Sequence, residues 1–150
     1  MTGTYLDVID RNVSETGLGV RDKEELFSYV SEKLQKAGIL DDAEAFKKDL
    51  YYRESLGQTG IGHGVAIPHG KSASVEQTCI VLLKLAEPIA WESADGAPVQ
   101  VIILFAVSLD DKNDTFLRMM SQVARKLARE EVCEALGKAG SVEEMMEALS

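Results

Sequence analysis

The sequence predicts an α/β fold in which a mixed β-sheet is covered by helices on both faces, an α/β/α sandwich. Apolar residues recur at helical spacing towards both ends of the chain, and two continuous aliphatic runs, 79–85 and 99–107, lie between them. Runs of that kind are strands buried on both faces. Only 13 residues with no helical pattern join them, too few for a βαβ crossover, so a mixed sheet is favoured over a doubly wound parallel one.

Each element has its own signal. Residues 6–10 read as a short turn of helix and 13–20 as a strand. Asp22 followed by Glu25 is a capping-box variant, after which Leu26, Phe27, Val30 and Leu34 recur at helical spacing up to Gly38. Asp41 or Asp42 starts a second helix with Ala43, Phe46 and Leu50 on one face, reaching about Glu54. A short strand at 65–67 is ended by Pro68, and 89–91 adds an edge segment before the Asp95-Gly96 turn. A third helix spans 113–129 with Phe116, Met120, Val123 and Leu127 as its apolar stripe. A shorter one follows at 131–136, stopped near Gly137. Ser141 and Glu144 form a capping box for the last, which carries Val142, Met145, Met146 and Leu149. With no internal repeat and no linker, residues 1–150 are expected to form a single domain.

Charge narrows the function. The 150 residues hold 25 acidic and 16 basic side chains, a net −9, and both halves share the deficit. That argues against a nucleic-acid binder, which needs clustered Lys and Arg. No apolar run approaches the ~20 residues of a spanning helix, and Asp7 and Asp10 interrupt any signal-peptide core. A cytoplasmic protein is expected, with Cys79 and Cys133 as free, buried thiols.

The unusual stretch is 57–70, Gly-Gln-Thr-Gly-Ile-Gly-His-Gly-Val-Ala-Ile-Pro-His-Gly, which holds five of the 12 glycines and both histidines. Dense glycine lets backbone approach a ligand, and successive amides can form an anion nest. The pattern is neither a dinucleotide fingerprint nor a Walker loop, since Lys71 opens no helix. His69, between Pro68 and Gly70 at the end of a short strand, has a defined position and little cover. One other histidine and two distant cysteines make a poor zinc set, and there is no nucleophile elbow for a general base to serve. No metal or cofactor is expected. The residues alone leave two readings open: a histidine that caps a turn, or one whose neutral nitrogen accepts a phosphoryl group.

The run Thr59-Gly60-Ile61-Gly62-His63-Gly64-Val65-Ala66-Ile67-Pro68-His69-Gly70, with Arg53-Glu54 upstream and Pro88-Ile89, Asp95-Gly96 and 99–107 downstream, resembles EIIA domains of the fructose/mannitol class (type 2) of the bacterial sugar phosphotransferase system. The resemblance implies that His69 accepts a phosphoryl group, at Nε2, from the phosphocarrier HPr and passes it to a cysteine of an EIIB domain. The uptake it feeds is that of fructose, mannitol or a related sugar. It further implies that Arg53 stabilises the phosphoryl charge and that the membrane is met only through the EIIC transporter. Thr59 and the backbone N–H groups of Gly60, Gly62 and Gly64 are expected to form a phosphate loop. His63 occupies a variable slot and reads as a loop residue. One departure stands out: where the family shows Asn-x-x-His-Leu, this chain has Asn113-Asp114-Thr115-Phe116-Leu117, with Phe116 at the place of a second active-site histidine. Phenylalanine cannot donate to phosphate. That leaves a regulatory EIIA module, nitrogen-related or attached to a transcription regulator, as the alternative to a transport component. A glycine-rich ligand-binding domain without phosphoryl chemistry is a third reading. Arg118, Arg125, Lys126 and Arg129 read as the solvated face of the third helix or as part of a docking face.

Overall fold

In the computed structural model, residues 5–110 and 113–150 are described, with the side chains of Asn113 and Asp114 outside the description. The chain runs through a short 3-10 turn (Tyr5–Val8), β1 (Glu15–Leu18), α1 (Lys23–Lys36), α2 (Ala43–Leu56), β2 (Gly60–Gly62), β3 (Val65–Ala66), β4 (His69–Ser72), β5 (Cys79–Ile89), β6 (Val99–Ser108), α3 (Asn113–Leu127), α4 (Glu130–Lys138) and α5 (Val142–Leu149).

The sheet is built outward from its most apolar strand. β6 pairs antiparallel with β5 on one side, and β5 pairs in parallel with the edge strand β1. On its other side β6 carries two short parallel strands in tandem: β3 beside Val101 and Ile102, and β4 beside Phe105 to Ser108. β2 closes that end antiparallel to β3. The six-stranded sheet is mixed, as the short helix-free connection requires.

Side-chain alternation along β6 makes two cores. Ile102, Leu104 and Ala106, joined by Val99 at the irregular start of the strand, pack with Leu26, Phe27, Val30 and Leu34 of α1 and Phe46 and Leu50 of α2. Val101, Ile103, Phe105 and Val107 pack with Val123, Leu127, Leu136, Met145 and Leu149 from α3, α4 and α5. Helices therefore cover both faces. Among the described residues no helix is long and apolar enough to cross a membrane.

The caps act as their residue types dictate. The Asp22, Asp42 and Ser141 side chains accept from the amides of Glu25, Ala45 and Glu144. The reciprocal half of each capping box is displaced by one residue, because Glu25 accepts from the Arg21 amide at 2.7 Å and Glu144 from the Gly140 amide at 2.6 Å.

Four sequence expectations are corrected. The edge segment at 89–91 does not exist: Ile89 ends β5, paired with Val99 across a register shift, and Trp91 turns into the core. That irregularity accommodates Pro88, which has no N–H for a ladder. The strand at 13–20 shrinks to β1. Gly137 does not stop α4; the helix runs on to Lys138 and is capped from outside, where buried Lys84 of β5 donates to the carbonyls of Leu136 (3.2 Å), Gly137 (2.7 Å) and Ala139 (2.9 Å). Finally, His69 begins a strand instead of ending one, because Pro68, lacking a donor, splits the chain into β3 and β4 while its carbonyl still accepts from the Phe105 amide at 3.0 Å.

Both cysteines are free and buried. Burial pushes the Cys79 thiol up to about 12, so it is a core residue and not a nucleophile.

Candidate functional site

The break at Pro68 places His69 at the edge of the sheet, in register with Phe105. Its neighbour Gly70 faces the other way, towards α2, where a Cβ would lie 3.0 Å from Phe46 and 3.4 Å from Leu50 Cδ2. Glycine there lets α2 pack directly on β4, and the last turn of that helix brings Arg53 to the imidazole.

Two contacts fix the ring. Arg53 Nε donates to His69 Nε2 at 3.0 Å, and His69 Nδ1 lies 3.3 Å from the Ile67 carbonyl. A guanidinium N–H can only donate, so Nε2 carries the lone pair and Nδ1 carries the proton given to Ile67. His69 is half-buried, and burial lowers its pKa, with the Arg53 charge adding to the effect; the Ile67 bond and the Glu54 charge oppose it. The outcome is a neutral imidazole with its unprotonated nitrogen aimed at an arginine. The small cover expected over His69 is also corrected. The Phe116 ring sits 5.6 Å from the imidazole, inclined at 51°, and is held against Phe105 at 5.8 Å.

A cavity of about 300 Å³ opens on these groups, lined by Arg53, Gln58, Thr59, Ile67, His69 and Phe116 and, on its apolar side, by Ile61, Leu117 and Met120. Arg53 is fixed there from its other end, since its Nη1 donates to the Gly57 carbonyl at 2.9 Å. Among the described residues Arg53 makes no ion pair, so its charge faces only neutral acceptors.

The glycines take a different place from the one expected. Gly60, Gly62 and Gly64 do not line the cavity, and the Gly60 amide is occupied by the Glu92 carbonyl at 3.2 Å. Their purpose is steric and conformational: a Cβ on Gly60 would meet Ser93 Cβ at 2.4 Å, and Gly62 and Gly64 hold φ of +100° and +77° around the β2–β3 turn. His63 sits at that turn with φ +57°, exposed, its amide donating to Asp95 at 3.0 Å. Asp95, held down to about 2 by the Ala97 amide, the Ser93 hydroxyl and the His63 amide, pins the turn. Thr59 does line the cavity, but its hydroxyl donates to Glu54 and accepts from Trp91 Nε1 at 3.1 Å. Of the four basic residues assigned to the third helix, Arg118 and Arg125 are exposed on α3, as the solvated-face reading expects. Arg129 lies beyond α3 as the N-cap of α4, and Lys126 donates to the Ser150 carbonyl at 3.0 Å.

The sequence reading missed the polar chain behind Arg53. Glu54, its side chain 7% exposed, accepts from Lys23 Nζ at 3.0 Å and from Thr59; Lys23 also pairs with Glu92 and lies 4.6 Å over the Trp91 ring. No spacing rule links Lys23 to Glu54 and Glu92; the sole tryptophan was the available hint.

The chain belongs to the family "Phosphoenolpyruvate-dependent sugar phosphotransferase system, EIIA 2", matched over residues 7–150. It is 31% identical over 149 residues to the 2-O-alpha-mannosyl-D-glycerate-specific EIIABC component of Escherichia coli K12, covering 99% of this chain but only 22% of that protein's length. It is 32% identical over 144 residues to the nitrogen regulatory protein of the same organism, covering 95% of this chain and 87% of that one. Among solved structures, nitrogen regulatory protein IIA-Ntr from Neisseria meningitidis matches with TM-score 0.84 and 30% identity, over 97% of this chain and 98% of the other. Proteins of this family are phosphoryl-transfer carriers, and sugar-specific and regulatory relatives are about equally similar.

Proposed function

We propose that residues 1–150 form one EIIA type 2 domain, acting in the cytoplasm, whose His69 accepts a phosphoryl group at Nε2. The observation that carries this reading is the Arg53–His69 pair: a neutral imidazole whose free lone pair is already held by a permanent cation. Nε2 attacks phosphorus, the bond from phosphorus to the donor's nitrogen breaks, and that electron pair stays with the donor. Nδ1–H keeps its bond to the Ile67 carbonyl, which offsets the positive charge the ring acquires. Arg53, released from Nε2, turns its fork to the phosphoryl oxygens, the charge-assisted pairing arginine suits best. Ile61, Ile67, Phe116 and Met120 give the cavity an apolar wall beside the imidazole.

The donor in this reading is phospho-HPr and the acceptor an EIIB domain, whose cysteine thiolate takes the group by the reverse chemistry; an EIIABC relative carries such components in one chain. The membrane is reached only through EIIC, and uptake of fructose, mannitol or a related sugar follows. A second reading is favoured by a specific observation. The TM-score of 0.84 to IIA-Ntr, together with Phe116 in the site, supports a regulatory module in which phosphorylated His69 is the signal. One experiment separates them: protein labelled from phosphoenolpyruvate, enzyme I and HPr is mixed with the EIIB domains of its host. Loss of label to an EIIB cysteine is the transport outcome; label retained against all of them leaves the regulatory one.

A further inference from the structure

A carboxylate whose charge opposes that of an incoming phosphoryl group stands beside the Arg53–His69 pair. Glu54 follows Arg53 directly in α2, is nearly buried, and its charge is felt at the His69 ring. A phosphoryl group brings further negative charge to the same cavity, and an unneutralised carboxylate beside it would repel that group and cancel the field of Arg53. Both Glu54 oxygens are engaged: Oε1 accepts from Thr59, Oε2 from Lys23 Nζ at 3.0 Å. Lys23 is the first residue of α1, its side chain 17% exposed, and Glu92 and the Trp91 ring hold it in place.

We propose that Lys23 is a positioning residue for phosphoryl transfer at His69, acting through Glu54: its ammonium neutralises that carboxylate so that the Arg53 charge stays available to the incoming phosphoryl group. The same ion pair secures the segment that Arg53 clamps. Glu54 ties down Thr59 while Arg53 ties down Gly57, so both partners of the turn after α2 depend on adjacent side chains. Removing Lys23 leaves a buried carboxylate without its cation; removing both charges leaves nothing to repel the phosphoryl group.

This inference rests on His69 as acceptor, and a double-mutant cycle separates the two claims. Uptake of label from phosphoenolpyruvate, enzyme I and HPr is timed for wild type, Lys23→Met, Lys23→Arg, Glu54→Gln and the Lys23→Met/Glu54→Gln pair, with melting curves for each. Lys23→Met is expected to slow uptake about tenfold or more, the scale of one charge-assisted phosphate contact. Lys23→Arg and the double variant restore it, and Glu54→Gln alone is at or above the wild-type rate. A role confined to holding the fold would leave the double variant as slow as Lys23→Met or slower. That result, or unchanged uptake in folded Lys23→Met, or a large loss in folded Glu54→Gln, overturns the proposal. Wild-type protein that takes up no label removes the acceptor reading itself, and this inference with it.

Discussion

Arg53 Nε and His69 Nε2 are 3.0 Å apart, joined by a hydrogen bond that spends the lone pair a nucleophile would use. One contact therefore does two things: it selects the tautomer with the proton on Nδ1, and it stations a cation where the proposed reaction would bring the phosphoryl oxygens. Arg53→Lys keeps the charge but cannot make both the Nε and Nη1 contacts from one fixed plane. Phosphoryl uptake is expected to fall about 10- to 100-fold in a protein that melts close to wild type. Time courses of label incorporation check this; unchanged rates would remove Arg53 from the site chemistry.

The pH dependence follows from the sign of the His69 shift. Burial, aided by Arg53, moves the imidazole below its ordinary value near 6.5. Between the two values the unfolded chain binds a proton that the native one does not, so His69 destabilises the fold as pH falls through that window and is neutral above it. Uptake is expected to be flat from pH 8 down to about 6.5 and to fall only below. Imidazole titration by NMR reads the midpoint directly, and a value above 6.5 contradicts the geometry.

Phe116→His puts a donor where the ring now covers the imidazole. The variant is expected to take up phosphoryl groups about tenfold faster, because a charged acceptor gains a hydrogen bond. It should lose about 0.5–1.5 kcal/mol of stability from the ring contact with Phe105 at 5.8 Å. Rate and melting temperature on the same sample check both halves.

Lys84→Met tests the fold away from the site. Three carbonyls at the end of α4 lose their only charged donor. A loss of about 1.5–3 kcal/mol in urea unfolding is expected, with phosphoryl uptake unchanged.

The long elements were legible because each obeys one period. β5 and β6 announced themselves as aliphatic runs, and α1, α2 and α5 by an acidic or hydroxyl cap ahead of spaced apolar residues. What failed was fixed by contacts remote in sequence. Gly137 looks like a stop, yet Lys84, 53 residues earlier, sets the end of α4. The glycines of 60–64 looked like a phosphate cradle, yet Gly60 is glycine because Ser93 would collide with a Cβ, and its amide belongs to Glu92. His69 and Arg53 were assigned their roles only through a family signature; that they touch, and with which tautomer, comes from the fold. Lys23, Glu54, Thr59 and Trp91 meet only in the folded chain, which is why no spacing disclosed them.

Phosphorus and nitrogen NMR on isotopically labelled protein, phosphorylated with phosphoenolpyruvate, enzyme I and HPr, reads directly whether His69 Nε2 carries the phosphoryl group. One acid-labile, base-stable phosphoryl group is expected, coupled to Nε2 of His69, while Nδ1 keeps its proton, and no signal in His69→Ala. Label on His63, on Nδ1, or on the His69→Ala variant would contradict it.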